Sequence, residues 1–439
     1  MKNRGMTIVD FVLSLLMPAL LMVMTLTHNE VYLYAVLGLA LLRITKPLVI
    51  FPVYFVASLS NEWFGLGTGV SAGRYLSVIL LLSLIIDLLS KRKKSSVQKE
   101  LVVLFVFVLY CLFSCFISVT GSFDAFFIAF LGLMVVILFS LRNNNDVQQL
   151  FDVMFCTAIV VTVGMLVVIS TIGIAQFTLS RMGEIDDIET NSNRIAMMMA
   201  QICAIHGTVF YLEGFKTKGI LALISYIVTV FIVILTGSRT GLLASTLPLF
   251  IVFLLMHRIK TIRVFLYIIV FGVLFYFLSG IIEDLDLVVV DRLSVNDVVD
   301  SGGSDRMPAI KVMWKEVFPQ YPILGVGLGG ANFNAVARQY GIDHPCHNIF
   351  FDSLCQLGII GFLIFLYIVI HYFKTTYRCI KRTNNELCFL GFFLLLTATI
   401  NGIGETVYIE KIYWNAIALC VIGIGNATSF SKLIEDGKI

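Results

Sequence analysis

Two arginines and one histidine stand where a chain this apolar should carry no polar charge without a use. Arg239 lies in Thr236-Gly237-Ser238-Arg239-Thr240-Gly241, Arg306 in the one long polar stretch, and His347 at the head of His347-Asn348-Ile349-Phe350. A guanidinium presents a rigid fork of donors that grips phosphate oxygens two at a time. An unprotonated imidazole takes a proton from a hydroxyl. Together these groups can hold an anionic phosphate ester and activate a nucleophile beside it. They are far apart in sequence, so the question is which elements could bring them together.

The composition limits those elements sharply. The 439 residues are 59% hydrophobic and 13% charged, with a mean hydropathy of +0.94. A water-soluble domain is excluded. Runs such as Leu101–Val119 and Ile220–Leu235 approach or exceed the ~20 apolar residues that cross ~30 Å of hydrocarbon. In lipid the backbone must satisfy its own hydrogen bonds, so such runs form helices. About fourteen apolar segments follow from the pattern, at 8–27, 31–42, 47–60, 72–90, 100–119, 125–141, 148–174, 192–213, 219–235, 240–256, 264–282, 347–371, 387–404 and 412–427. The second and third are short enough to be re-entrant or tilted, which leaves twelve spans as the alternative. The expected fold is an all-α polytopic membrane protein of 12–14 transmembrane helices, one domain over 1–439.

Lys2 and Arg4 precede the first segment, and no small-residue cleavage site follows it, so it reads as a retained helix. With the N-terminus in the cytoplasm, Lys91-Arg92-Lys93-Lys94, Lys216, Lys218, Arg258-Lys260-Arg263 and Lys374 to Arg382 fall inside. Roughly two thirds of the Lys and Arg residues then lie on the cytoplasmic side, the bias that orients membrane proteins. The external minority is mostly arginine, including Arg74, Arg181, Arg194, Arg239 and Arg306. Of the nine cysteines only Cys346 falls in an external segment. They read as small packing groups, the Cys111/Cys115 pair included.

One loop is long, about 283–346 and extracytoplasmic in this orientation. It opens with Glu283, Asp284, Asp286, Asp291, Asp297 and Asp300, then continues into a short amphipathic helix near 308–318. Ile310, Met313, Trp314 and Val317 follow i, i+3, i+4, i+7 spacing behind Pro308. Arg306 projects onto the apolar side of that helix. On local features it reads either as aimed into a cleft or as paired with a loop acid such as Asp305. Arg239 reads either as a phosphate contact beside the free amides of a helix start that Ser238 caps, or as an arginine snorkelling to the interface.

The run Pro322-Ile323-Leu324-Gly325-Val326-Gly327-Leu328-Gly329-Gly330 contains GxGxG. No strand–turn–helix unit surrounds it, so a dinucleotide loop is rejected. A tight turn that lets backbone come close to a ligand or another helix accounts for it better. Asn348, Asp352 and Gln356 then stack on one face of the next segment. A polar stripe at a span's mouth faces protein or water. His347, at its top, is either a base or a structural interfacial histidine. The His344/His347 pair lacks the further ligands a metal needs. Asn193 and Arg194 open another segment from the same side and either line the cavity or cap the helix. Glu405, Glu410 and Lys411 read as a structural group near the last two spans.

The Arg-Thr-Gly junction (Arg239 to Gly241), the loop arginine with its Trp helix, the Pro-x-x-Gly-x-Gly-x-Gly turn and His-Asn-x-Phe-x-x-x-Leu-x-x-x-Gly-x-x-Gly (His347 to Gly361) occur in this order. The chain thereby resembles the bacterial O-antigen ligase-like family of O-antigen and capsule polymerases and O-antigen ligases. The resemblance covers about Thr190–Gly361. It implies a glycosyltransferase C-like fold and a metal-independent, inverting transferase that needs no cofactor. The donor it implies is an undecaprenyl-diphosphate-linked glycan, used on the outer face of the inner membrane. By motif position it implies Arg239 and Arg306 on the diphosphate and His347 as base, with Asn348, Asp352, Asn193, Arg194 and Arg74 in support. The family often has Glu where Gln356 stands; either Asp352 substitutes or that role is absent. A chain-length regulator and a flippase are the implied partners.

Polymerisation of lipid-linked repeat units is the leading expectation, and transfer to lipid A-core the second. A lipid-oligosaccharide flippase or ion-coupled transporter, using Asp87, Asp124, Asp152 or Asp352, is the alternative of another class. The absence of an internal repeat weighs against it. An enzyme should bring Arg239, Arg306 and His347 to one outer cavity, whereas a carrier should hold its acids near the midplane.

Overall fold

The computed structural model of the chain describes residues 6–59, 71–90, 99–142, 147, 149–174, 177, 192–256 and 306–435. The expected span 264–282, the acidic part of the long loop before Arg306, Arg181, and the basic loops at 91–94 and 258–263 lie outside the described residues.

Regular structure among the described residues is helical. The helices are α1 (Ile8–Thr27), α2 (Val31–Leu42), α3 (Pro47–Leu59), α4 (Ala72–Ser90), α5 (Lys99–Phe116), α6 (Asp124–Leu141) and α7 (Leu150–Ile172). They continue as α8 (Ser192–Glu213), α9 (Thr217–Leu235), α10 (Arg239–Met256), α11 (Arg306–Val312), α12 (Gly330–Ala337), α13 (Ile349–Thr383), α14 (Glu386–Asn401) and α15 (Lys411–Glu435). Eight of them, α1, α4, α6, α7, α8, α9, α10 and α13, are long and apolar enough to cross a membrane; α2, α3, α5 and α14 are shorter and equally apolar. This is a polytopic all-α membrane protein. The boundaries expected from hydropathy agree with the helix ends to within a few residues for most described segments, because long apolar runs leave the backbone no other solution; the exceptions are α13 and α15, which run on to Thr383 and Glu435, beyond the expected ends at 371 and 427, as polar helix past the apolar run.

The short third segment shows where length gives way to packing. Thirteen residues of helix reach only about 20 Å, less than the hydrocarbon thickness. Every residue of α3 is buried, and it packs between α1 and α4. A helix apolar on all sides, with protein on all sides, belongs to the interior of the bundle.

One end of the bundle is closed by ion pairs. Asp10 meets Lys46, Asp87 meets Arg142 at 2.8 Å with both side chains buried, and Asp152 meets Lys218. Asp87 is in the last turn of α4 and Asp152 in the first turn of α7. Asp124 and Asp352 stand in the first turns of α6 and α13. None of the four acids weighed for a carrier sits in mid-span.

Helix α13 is broken at Gly358 (φ 63°, ψ −175°). The break frees the carbonyls of Cys355 and Gln356 and the N–H groups of Ile359 and Ile360 from their helical partners. The glycine-rich stretch replaces all four bonds. Val326 and Gly327 N–H donate to Cys355 O and Gln356 O at 3.0 Å, while Ile359 and Ile360 N–H donate to Pro322 O and Ile323 O at 3.0 and 3.4 Å. Such close approach requires glycine on both sides: a Cβ on Gly325 would stand 2.4 Å from Gln356 O, and one on Gly358 2.3 Å from Ile323 O. Irregular backbone at a helix break is tolerated where protein satisfies it, and here the tight turn approaches a helix. Gln356 Oε1 accepts the N–H of Gly329 at 2.8 Å and the Tyr408 hydroxyl, and Tyr110 donates to Leu357 O at 2.6 Å.

Helix α11 continues as one π-helical stretch, Met313–Val317, with Phe318 N–H donating to Met313 O. Its buried face is Ala309, Met313 and Val317, packed with Phe333, Cys346 and Cys355 at the start of α13. Trp314 is 45% exposed, edge-on to Phe351 and Phe318. The face is therefore narrower than the sequence spacing suggested, and Trp314 lies at its margin, the usual place for an amphipathic ring.

Candidate active site at one end of the bundle

His347 sits in the left-handed region (φ 51°), a conformation that costs a non-glycine residue energy and persists only where neighbours enforce it. The enforcement comes from Asp352 and Asn348. Asp352 accepts the N–H groups on either side of His347, from Cys346 and Asn348, each at 2.9 Å, and also the Thr406 hydroxyl. Asn348 caps α13 by accepting from Phe350 and Phe351 N–H, and its amide donates to Ile403 O at 3.0 Å. Ile349 N–H donates to Gly402 O at 2.6 Å. The polar stripe of the sequence is thus spent on architecture: Asn348 caps, Asp352 clamps the histidine turn, and Gln356 holds the glycine turn. The carboxylate of Asp352, 1% exposed and with three donors on it, is not available as a stand-in for a family glutamate.

The carboxylate that meets the imidazole is Glu405, from the α14–α15 loop. Its Oε2 lies 3.3 Å from His347 Nδ1, at ion-pair distance but off the alignment of a hydrogen bond. Burial opposes the charge on Glu405. His347, then Arg194 and Arg306, outweigh burial and hold its carboxyl below the usual glutamate range. Arg194 and Arg306 thus act electrostatically on the carboxylate of the histidine pair. Arg194 NH1 reaches Glu410 Oε1 at 3.1 Å. Asn193 stands beside it in the first turn of α8.

Arg239 begins α10, where Gly241 N–H donates to the Ser238 hydroxyl at 3.3 Å, the N-cap that the sequence suggested. Thr240 abuts Gly404: a Cβ there would stand 2.2 Å from the threonine hydroxyl oxygen. Gly241 presses on Ala196 of α8 in the same way. These contacts put the Arg239 turn against both the loop that carries Glu405 and the helix start that carries Arg194. Arg74 and Glu410 act on Lys411, the first residue of α15. Arg74 is exposed at the start of α4. The expected residues thus fall at the same end of the bundle: His347 meets Glu405 and Arg306 acts on it, Arg194 meets Glu410 with Asn193 beside it, Arg74 acts on Lys411, and Arg239 lies in the turn packed against Gly404 and Ala196.

Glu405, Thr406 and Glu410 were not singled out as functional from the sequence. They belong to a short loop with no motif spacing, where three polar residues read as ordinary pairing. The available signal was the pairing itself, two acids between apolar spans on the side that carries the surplus arginines.

No curated protein shows a significant match to the chain. Residues 224–366 match the family model described as O-antigen ligase. That stretch runs from within α9 to beyond the break in α13 and contains Arg239, Arg306 and His347. Over residues 224–366, then, this polytopic membrane protein is similar to the O-antigen ligase family.

Proposed function

We propose that the protein is a membrane glycosyltransferase that moves a glycan from a polyprenyl-diphosphate carrier to a sugar hydroxyl, on the extracytoplasmic side of the inner membrane. The observation that carries the proposal is the His347–Glu405 contact, on which Arg306 also acts, at the end of the bundle where the turn that carries Arg239 packs against Gly404. The leaving group is already a stabilised diphosphate, so catalysis needs fixed positive charge where negative charge grows and a base on the nucleophile.

The acceptor hydroxyl oxygen attacks the anomeric carbon from the face opposite the diphosphate. The carbon–oxygen bond to the diphosphate breaks and its electron pair leaves with the lipid diphosphate, whose added charge Arg239 and Arg306 meet. The hydroxyl proton passes to His347. Because Nδ1 faces Glu405, Nε2 is the nitrogen left to accept it, and Glu405 then stabilises the imidazolium. That proton returns to solvent or to the released diphosphate, and the anomeric configuration inverts.

Polymerisation of lipid-linked repeat units is the form we favour. Transfer to lipid A-core is the second reading, favoured by the description of the matched family model. A carrier is disfavoured because Asp87 and Asp152 are paired at the opposite end and Asp352 is saturated. Purified protein is given a defined lipid-linked repeat unit and, separately, the same donor with lipid A-core. Longer chains on the first mean polymerase, and product on lipid A-core alone means ligase. No transfer to either, from a folded protein, removes the proposal. His347→Ala should abolish transfer without lowering the melting temperature by more than a few degrees; normal turnover in that variant excludes the histidine as base.

A further inference from the structure

The cysteines read as packing groups, but one pair is placed for chemistry. Cys379, near the far end of α13, and Cys388, in the first turn of α14, bring their sulfurs to 2.9 Å, with the Cys388 thiol donating to Cys379 Sγ. Both are free thiols. A disulfide bond is about 2.05 Å long, so less than an ångström of closure separates the pair from one. The turn between the two helices holds them there. Asn384 reverses the chain in the left-handed region (φ 47°). Asn385 caps α14 by accepting from Leu387 and Cys388 N–H at 3.1 Å each, and its amide donates to Asn426 of α15 at 2.8 Å. Gly423 of α15 lies on the backbone of Cys388, where a Cβ would stand 2.6 Å from the nitrogen. The helix ends that carry the sulfurs are thus fixed by contacts in which neither sulfur takes part.

The two thiols differ in access. Cys388 is buried and Cys379 only partly so. Arg378, Lys381 and Arg382 are exposed within one turn of Cys379, and cations beside a thiol favour the thiolate, which is the nucleophile. Cys379 is therefore the sulfur that a reagent from outside reaches, and Cys388 the one that follows. A reachable thiol beside a second, resolving thiol is the arrangement that senses oxidants. Among the described residues no set of three His, Cys, Asp or Glu residues stands together to hold a metal ion, which leaves oxidation as the chemistry that two touching thiols offer. The pair belongs to the basic stretch that the charge bias assigns to the cytoplasm, where disulfides form transiently.

We propose that Cys379 and Cys388 form a reversible disulfide, a modification site whose oxidant is a low-molecular-weight disulfide and whose reductant is a dithiol of the cytoplasm. The Cys379 thiolate attacks one sulfur of the small disulfide. That S–S bond breaks, one small thiolate leaves and takes up the proton lost from Cys379, and a mixed disulfide remains. Cys388 then gives up its proton and attacks Cys379 Sγ. The mixed S–S bond breaks, and the second small thiolate leaves with that proton. Two protein thiols are oxidised to one disulfide, and one small disulfide is reduced to two thiols; a dithiol reverses the exchange. The bond links α13 to α14 at the closed end of a hairpin whose open ends lead to His347 and Glu405. The proposal does not depend on the transferase reading.

The test counts thiols. Full-length protein in phosphatidylcholine nanodiscs is treated with glutathione disulfide, quenched in acid, denatured, alkylated with N-ethylmaleimide and digested for mass spectrometry. Wild type should lose two alkylated cysteines relative to the reduced protein, yield a peptide pair cross-linked through Cys379 and Cys388, and recover both thiols in dithiothreitol. Cys388→Ser should instead keep one glutathione on Cys379, and Cys379→Ser should carry none at Cys388; Cys388→Ala gives the same readout if the serine variant does not fold. Cys111 and Cys115, buried in α5, should stay alkylated throughout. In cells quenched in acid, the pair should be reduced before exposure to the thiol oxidant diamide, bridged after it, and reduced again on recovery. Wild type that keeps every thiol in glutathione disulfide overturns the proposal and returns the pair to packing. So does a glutathione adduct on wild-type Cys379 that Cys388 never displaces, or loss of label at Cys111 and Cys115 instead. A bridge already complete in untreated cells also overturns it, because that is a permanent structural disulfide.

Discussion

Glu405→Gln changes one oxygen to nitrogen and removes the carboxylate that meets His347 among the described residues. In the ground state a neutral imidazole gains little from that charge. In the transition state the ring becomes imidazolium, so the interaction grows when the barrier is crossed, and only such growth raises kcat. Unit charges 3.3 Å apart attract by about 1 kcal/mol in water and about 5 kcal/mol at an effective dielectric of 20. The histidine side chain is 35% exposed and that of Glu405 14%, so solvent screening keeps the effect in the lower part of that range, ~1–3 kcal/mol. At 1.36 kcal/mol per decade, kcat should fall roughly 5- to 150-fold, with little change in KM for the donor. The assay is single-turnover extension of a defined lipid-linked repeat unit by purified protein. It is repeated with His347→Ala and with the double variant, because groups that act as a unit are not additive. Wild-type kcat in Glu405→Gln, or a double variant whose loss equals the product of the single losses, refutes the assignment of Glu405 to the base.

Arg239→Ala should raise KM for the donor and lower kcat, with Arg239→Lys recovering little, since an ammonium cannot replace a two-pronged contact; full recovery by lysine in the same assay removes that contact. Gly358→Ala should destabilise the protein by at least ~1–3 kcal/mol, from its positive φ alone, before the clash with Ile323 O; a thermal melt equal to wild type would show that the break tolerates a side chain. Glu405 is depressed below its ordinary value of 4.5, so the stability it adds is present above that pH and lost as pH falls through the folded value. The difference in melting temperature between wild type and Glu405→Gln should therefore be full at neutral pH and shrink in acid below pH 4.5; a difference that grows in acid contradicts the sign.

Much of this architecture was legible in the sequence, for a physical reason. Membrane helices announce themselves by length and hydropathy, and α1, α4 and α8 begin or end within a residue or two of where the apolar runs do. Arg239, Arg306 and His347 stood out in the sequence as polar residues costly to place in so apolar a chain without a use. What could not be read was pairing across the bundle. That Glu405 meets His347, or Glu410 meets Arg194, depends on which loop lies over which helix start, and local spacing does not encode it. Asn348, Asp352 and Gln356 share a face, yet the partners that reach them from elsewhere, Ile403 O for Asn348, the Thr406 hydroxyl for Asp352, and Gly329 N–H and the Tyr408 hydroxyl for Gln356, are revealed by no pattern in their own helix. The break at Gly358 was hidden for a similar reason: a glycine in a span looks the same whether its φ is negative or positive.

The interruption of α13 also determines what moves with what. Residues 349–357 join the long remainder of the helix through a single glycine, but are tied to the 322–329 stretch by backbone bonds and by Gln356, and to 402–406 by Asn348 and Asp352. Mechanically, this short piece belongs to the loops it holds and only nominally to the rod it starts. An opening of the loop wide enough to admit a bulky lipid-borne sugar chain would carry His347 along with it, so that entry of substrate and alignment of the base become one displacement.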